Sequence, residues 1–548
     1  MKFSRMFHRK KWGAAGKVLL AMLLGASLLV SGCGGGKPGT TSSGGKKQVL
    51  TIGSTNNPKT VNPESQSDSA GLFINRMMYD SLLGQPEFHK FTNHLAVSFE
   101  TKDKKVYTVR LNPKAKWSDG KPLTADDVVF SFNLAANPKV ESGWNRYLKS
   151  LAGVGSNGKL AAGVAAISGV VKKDAATIEL TCKQAMDPDF IKDQIGFNIP
   201  ILPKHIYSKI DPEKIPSSPE GVKPTVFSGP FKLVKFVSND HVELAANENY
   251  VLGKPKLSKI FVKIQNGTNM VVDLKAGKTH MSAGNIIGKI PVQDIDVLKQ
   301  EKNLSVKNVP SLGCQVMEIN NTLPEFNKDF RMALAHAINR QQIVDQLYKG
   351  YASLVPTIYT KASPVYDASV KNFPYDVELA KKELAASGYD TSKELTLLVP
   401  LGNVQREQSA DLIQQNLQAI GLKVKLQKMD FPTLMSRAQK KDYQILLMGL
   451  SMQADPDYLR FYDPSSLINF SHVDDKKLTG MMEKAAIETD GKKRTEEYHE
   501  IQKYLAANMF HIPLYGEMDF IIQVRNLDGG LKPYWHGSFD DLYKWSFK

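Results

Sequence analysis

Between Leu395 and Gly449 the chain alternates short apolar runs with longer amphipathic ones, a pattern that few architectures can absorb. Leu395–Val399 is a short leucine- and β-branched run and reads as a buried strand. Val404–Ile420 has helical spacing and stops at Gly421, a residue suited to the left-handed backbone just past a helix end. Val424–Gln427 is a second strand. Pro432 opens a short helix to about Lys440, where its missing N–H costs little, and Tyr443–Met448 is a third strand. Three strands joined by two helices imply right-handed crossovers and a parallel sheet, and hence an α/β fold. Ligands of such sheets lie beyond the carboxyl ends of the strands. That directs attention to the loops Gly402–Arg406, Asp430–Phe431 and Gly449–Asp457.

The folded body is expected to start with a strand at Val49–Ile52, followed by a helix over about Ser69–Leu83 and a strand at Val106–Leu111. Thr124-Ala125-Asp126-Asp127 looks like a helix start, with a capping threonine and acids suited to the positive helix end. That helix runs to about Ala136, before Asn137-Pro138. No short internal period is visible, which argues against a solenoid.

The amino-terminal end has a different character. Lys2, Arg5, Arg9, Lys10, Lys11 and Lys17 precede an apolar run, Val18–Val30, and no acid occurs before Cys33. A basic stretch, an apolar run too short for the roughly 20 residues that span a bilayer, and small residues make an export signal. Cys33 directly after Ser31-Gly32 makes the segment resemble a bacterial lipoprotein lipobox. The resemblance implies cleavage after residue 32 and acylation of Cys33. Residues 34–47 read GGGKPGTTSSGGKK and contain no large apolar side chain, so 33–48 is expected to be a flexible tether.

A chain from Cys33 onward is too long for one small core and suggests two or three domains. Its 71 basic and 55 acidic residues leave a formal charge of +16, partly carried by the leader. The remaining lysines are spread along the chain with no dense basic, aromatic-rich tract, so no nucleic-acid partner is expected. Only Cys182 and Cys314 accompany Cys33, and both are expected to be buried free thiols. No His-Glu-x-x-His, Gly-x-Ser-x-Gly, Walker or Cys-x-x-Cys motif occurs. The paired acids Asp126/Asp127 and Asp187/Asp189 read as a helix start and a turn. Neither an enzyme, nor a metal site, nor a cofactor is expected.

Several segments together resemble one family, the solute-binding proteins of peptide and nickel ABC importers. They are Val109-Arg110-Leu111 leading through Lys116-Trp117-Ser118-Asp119-Gly120 to Leu123–Val128; Ser228–Leu233 with Asn247–Tyr250 and Gly253-Lys254-Pro255; and Phe330–Arg340. The resemblance implies a two-lobed type II periplasmic-binding-protein fold with an extra subdomain, about 85–190, inserted in lobe I. Lobe I would hold 49–309 and the return 513–548, lobe II 310–512, with crossings near Pro310 and Ile512. The implied function is a lipid-anchored, extracytoplasmic binding protein, a monomer, that captures peptides between its lobes and hands them to an ABC permease. A nickel chelate or another small solute, or a signalling role as a surface peptide receptor, stays open as an alternative, whereas a secreted hydrolase is disfavoured.

By the same resemblance Gly449, Leu450, Ser451, Met452, Gln453 and Asp455 form the ligand-gripping loop. Peptide binders of the family often carry Gly-Trp there, with an aspartate four residues after the glycine that pairs with the peptide ammonium. Here Leu450 and Gln453 stand in those places. A buried ammonium needs a charge partner, so Asp455 and Asp68 become the candidates; Asp455 and Asp457 also fit a capped turn around Pro456. Asn62-Pro63 places Ser67, Asp68 and Ser69 near the ligand. Trp144 is expected to cover it, although it also fits a core residue. Arg406 could meet an anionic group but is better suited to the surface.

Overall fold

The computed structural model describes residues 48–65, 68–284 and 286–548. The expected leader, Cys33, the tether through residue 47, and Ser67 lie outside these residues.

The pattern between Leu395 and Gly449 forms the parallel sheet it implies. Strands Glu394–Pro400, Lys423–Met429 and Ile445–Leu450 are parallel, with Glu394–Pro400 in the middle, and helices Val404–Ala419 and Phe431–Gln439 connect them. Gly421 has φ +96°, the left-handed value that ends the first helix without strain. Period-two alternation sends neighbouring side chains to opposite faces. Leu397 therefore joins a core with Ile319, Phe330 and Ile413, while Leu398 joins another with Val316, Leu446 and Tyr498. The strand is buried on both faces, which explains a continuous apolar run rather than an alternating one.

This sheet continues through Cys314–Ile319 into a 14-residue strand, His511–Val524, that belongs to both halves of the molecule. Its first residues pair with Cys314–Ile319, from Glu318↔His511 to Gln315↔Tyr515. Its later residues pair with Leu304–Pro310, from Pro310↔Met518 to Leu304↔Val524. The chain thus crosses between the halves at residues 310–314 and again between Tyr515 and Met518. The second crossing falls later than Ile512 because Ile512 and Pro513 still pair with Met317 and Val316.

The other half is built on Val49–Ser54, parallel to Lys259–Ile264 and Met281–Ser282. Leu50, Ile52, Phe73, Met77, Ile260 and Ile522 pack its core. Between residues 96 and 181, Ala96–Thr101, Val106–Leu111, Thr177–Thr181 and Val170–Lys172 form a separate antiparallel sheet around Tyr107, Trp117, Phe132 and Leu180. The helix expected from Thr124 spans Ala125–Ala136, and the Asp127 carboxylate accepts the Thr124 backbone N–H at 2.8 Å.

The helix expected over Ser69–Leu83 is shorter, Ser69–Met78. Tyr79 is extended, and Gly229 donates its N–H to the Met78 carbonyl at 2.8 Å. A Cβ on Gly229 would lie 2.6 Å from Met78 backbone, so this close crossing occupies the space the helix would need to continue. Leu83–Glu87 becomes a strand paired with Lys90–Asn93. Cys182 and Cys314 are free and buried, as expected.

Candidate functional site

At the carboxyl end of the strand Ile445–Leu450, where the two crossings run side by side, lies a cavity of about 590 Å³. The half built on the parallel sheet contributes Asn403, Arg406 and Gly449–Met452. The other half contributes Lys289 and Pro533–His536, and the crossings supply Ser311–Gln315 and Glu517. Two of the three loops singled out by topology therefore reach the cavity. Asp430–Phe431 does not: the Asp430 carboxylate is used locally, accepting the Thr433 backbone N–H at 2.9 Å as a helix cap.

A connected polar floor underlies the cavity. Arg406 Nε donates to Gln315 Oε1 at 2.9 Å, Gln315 Nε2 donates to Glu517 Oε1 at 3.2 Å, and Tyr348 Oη donates to the same oxygen at 3.2 Å. Lys289 Nζ lies 2.9 Å from Glu517 Oε2 and joins the opposite half to the network. Arg406 is half-buried rather than on the surface, which corrects the sequence expectation. Burial pushes its guanidinium below the ordinary value, opposed by the nearby Tyr515 and Glu517. Gly449 makes room for it: a Cβ there would lie 2.7 Å from Arg406 Nη2 and 3.0 Å from Gln315 Nε2.

The loop then leaves this cavity and borders a second, of about 460 Å³, between the parallel-sheet half and the segment around Arg146–Asn157. Gln453, Asp455 and Asp457 line it. The predicted gripping loop is thus divided, with Gly449, Leu450, Ser451 and Met452 on one cavity and Gln453 and Asp455 on the other.

Asp455 is 6% exposed and forms a two-pronged ion pair with Arg494, Oδ2–Nη1 3.0 Å and Oδ1–Nη2 3.2 Å. Burial is the largest influence and would lower the Arg494 pKa, but the charge and hydrogen bonding of Asp455, with Tyr498 and Asp187, together overcome it and raise the value. Both carboxylate oxygens are engaged by Arg494, and Oδ1 also accepts the Asp457 N–H at 2.9 Å, so the Asp455 charge is already balanced within the fold. Asp68 caps the helix Ser69–Met78, accepting the Gly71 N–H at 2.8 Å, and its second oxygen accepts the Lys59 N–H at 3.2 Å. Ser69 is the exposed first residue of that helix. Trp144 is buried and donates Nε1 to the Pro63 carbonyl at 2.8 Å. It stacks on Tyr147 and borders a cavity of about 20 Å³, room for a single water. It fastens the inserted sheet to residues 61–65 rather than covering either large cavity. Asp68, Ser69 and Trp144 border neither of the two large cavities.

Gln315, Tyr348, Lys289, Tyr534, Trp535 and His536 were not anticipated from sequence. Glu517 carried one signal, being one of two acids, with Asp519, inside the largely apolar run Ile512–Val524. Among the described residues no group of three His, Cys, Asp or Glu side chains is placed to hold a metal ion.

The family model for bacterial extracellular solute-binding proteins, family 5, matches residues 90–467. Oligopeptide-binding protein AppA of Bacillus subtilis is 27% identical, over 93% of this chain and 95% of its own. The probable D,D-dipeptide-binding periplasmic protein DdpA of Escherichia coli is 26% identical over 86% of this chain and 88% of its own. Among solved structures, the ABC transporter substrate-binding protein CtaP of Listeria monocytogenes superposes with a TM-score of 0.79 at 27% identity, covering 91% of this chain and 99% of that one. The AppA structure in complex with a nonapeptide gives 0.74 at 24% identity, covering 92% and 99%.

Proposed function

The chain belongs to the bacterial extracellular solute-binding proteins of family 5, and from that membership we propose that it captures peptides between two lobes and delivers them to an ABC permease. The observation that carries this reading is the 590 Å³ cavity, whose walls come from both halves and whose floor is crossed by both connecting segments. A ligand held there touches both halves at once. It favours the closed arrangement by as much as it binds that arrangement better than the open one. The lobes are taken as 49–309 with the chain's return, and the stretch from about 310 to the second crossing. No step of this task requires chemistry on the solute.

Arg406 is the recognition group assigned here. Its guanidinium lies in the cavity wall, held on one side by the neutral Gln315, and a peptide carboxylate is its natural complement. Arg406→Gln should weaken binding of peptides with a free carboxyl end by roughly tenfold or more, with little change for amidated ones. Titration calorimetry with matched peptides measures this, and equal loss for both kinds would remove the assignment. Peptides should also raise the melting temperature and be recovered unchanged. A chain stabilised by a nickel–histidine complex and by no peptide would overturn the peptide reading.

Anchoring through Cys33 belongs to the same proposal. Cys33→Ala should leave exported protein that is released from the membrane or retains its leader. Normal processing with full retention in the membrane fraction would refute the lipid anchor.

A further inference from the structure

The second cavity is faced by two arginines from different cores. Arg146 lies in the short turn Asn145–Leu148, whose Tyr147 and Leu148 belong to the core of the inserted sheet. Arg460 lies in the turn Leu459–Phe461, whose Phe461 belongs to the parallel-sheet half. Arg146 Nη2 donates to its neighbour's hydroxyl, Tyr147 Oη, at 2.9 Å, and Arg460 Nη2 donates to the Ser451 carbonyl at 3.2 Å. Arg460 Nε is buried without a hydrogen-bond partner. Of the acids lining the cavity, Asp455 is paired with Arg494 and Asp463 accepts the Ser465 N–H and hydroxyl, while Asp457 lies 3.7 Å from Lys149 and also attracts Arg460.

We propose that Arg146 and Arg460 together bind a side-chain carboxylate of the ligand, at a recognition point that is complete only when the two cores are closed on each other. The proposal rests on the peptide-capture reading above. The same two surfaces also meet through Lys104 Nζ to the Thr489 carbonyl, 3.1 Å, and through Arg494 5.4 Å from the Phe190 ring. Closure therefore brings like charges together. After burial, the Arg146 charge is the next strongest influence lowering the Arg460 pKa, and it outweighs the opposing pull of Asp457. An anion between the guanidiniums converts that repulsion into two charge-assisted hydrogen bonds. A ligand with a carboxylate at this point thus favours closure more than its neutral analogue does.

The test uses the purified protein and alanine pentapeptides carrying one glutamate or one glutamine at each position in turn, with free or amidated carboxyl ends. Calorimetry should show a preference of roughly tenfold to a hundredfold for the acid at one position, in the free and the amidated series alike. The position identifies which ligand side chain reaches the pair, and agreement between the free and amidated series separates it from the chain end held by Arg406. Arg146→Gln and Arg460→Gln should each abolish that preference while neutral peptides still bind, and Arg460→Lys should retain most of it. No preference in the parent, or one that both glutamine variants keep, overturns the proposal. If no pentapeptide binds, the peptide reading falls instead. Glutarate then judges the arginine pair: it must raise the melting temperature of the parent and of neither glutamine variant, and its failure to do so overturns the pair as well.

Discussion

Asp455→Asn should lower the stability of the fold by about 3–5 kcal/mol, the usual cost of leaving one member of a buried ion pair without its partner. The side chains of Asp455 and Arg494 are 6% and 4% exposed, and their two contacts are 3.0 and 3.2 Å, so water cannot take over the lost role. Asparagine keeps the shape and strands the charge. Arg494 sits against Phe190 and Tyr498, at 5.4 Å from each ring, and those faces compensate only partly. Asp455→Asn combined with Arg494→Met removes both charges and should recover most of the loss, because the uncompensated guanidinium is then gone. Chemical denaturation of the three variants measures this. A single variant as stable as the parent would show that the pair is not buried in solution. The sequence left Asp455 as one of two candidates, with Asp68, for a ligand ammonium, or as a turn residue beside Pro456; the first of these forecasts binding weakened roughly a hundredfold or more.

Glu64→Gln should make the protein more stable at pH 8 by up to about 3 kcal/mol, and should change little at pH 4. Glu64 is 2% exposed, its Oε1 has no hydrogen-bond partner, and burial lifts its pKa from 4.5 to about 7, partly offset by a hydrogen bond with Ser142. The direction follows from proton counting. Between pH 4.5 and 7 the folded chain holds a proton that the unfolded chain has released, so stability falls as pH rises through that window. Asp193, also buried and also raised to about 7, adds a slope of the same sign. The stability advantage of the glutamine variant over the parent should therefore grow steadily between about pH 5 and pH 8. Urea midpoints across pH 4–8 read this directly. An identical slope in parent and variant would mean that Glu64 is solvated in solution.

The elements legible in the sequence were those whose cause lies within a few residues. The alternation from Leu395 to Gly449, the Gly421 stop and the Thr124–Asp127 start all appear in place, because helix period, left-handed backbone and capping are local properties. The ends were less secure. The helix from Ser69 stops at Met78 because Gly229, far along the chain, crosses it there.

The candidate site divides along the same line. Topology alone directed attention to Gly402–Arg406, Asp430–Phe431 and Gly449–Asp457, since parallel strands present their carboxyl ends to ligands; the first loop and the Gly449–Met452 part of the third border the 590 Å³ cavity, and Asp430–Phe431 does not. What each side chain does there was decided by partners distant in sequence. Arg494 takes Asp455 from 39 residues away, Pro63 holds Trp144 from 81, and Gln315 draws Arg406 inward from 91. The sequence by itself determined the period of its elements, the parallel order of one sheet and the family to which the chain belongs. Only the tertiary structure decided which charges remain for a ligand. A residue's charge is written in the chain, but whether that charge is already neutralised depends on what folding brings within about 4 Å of it.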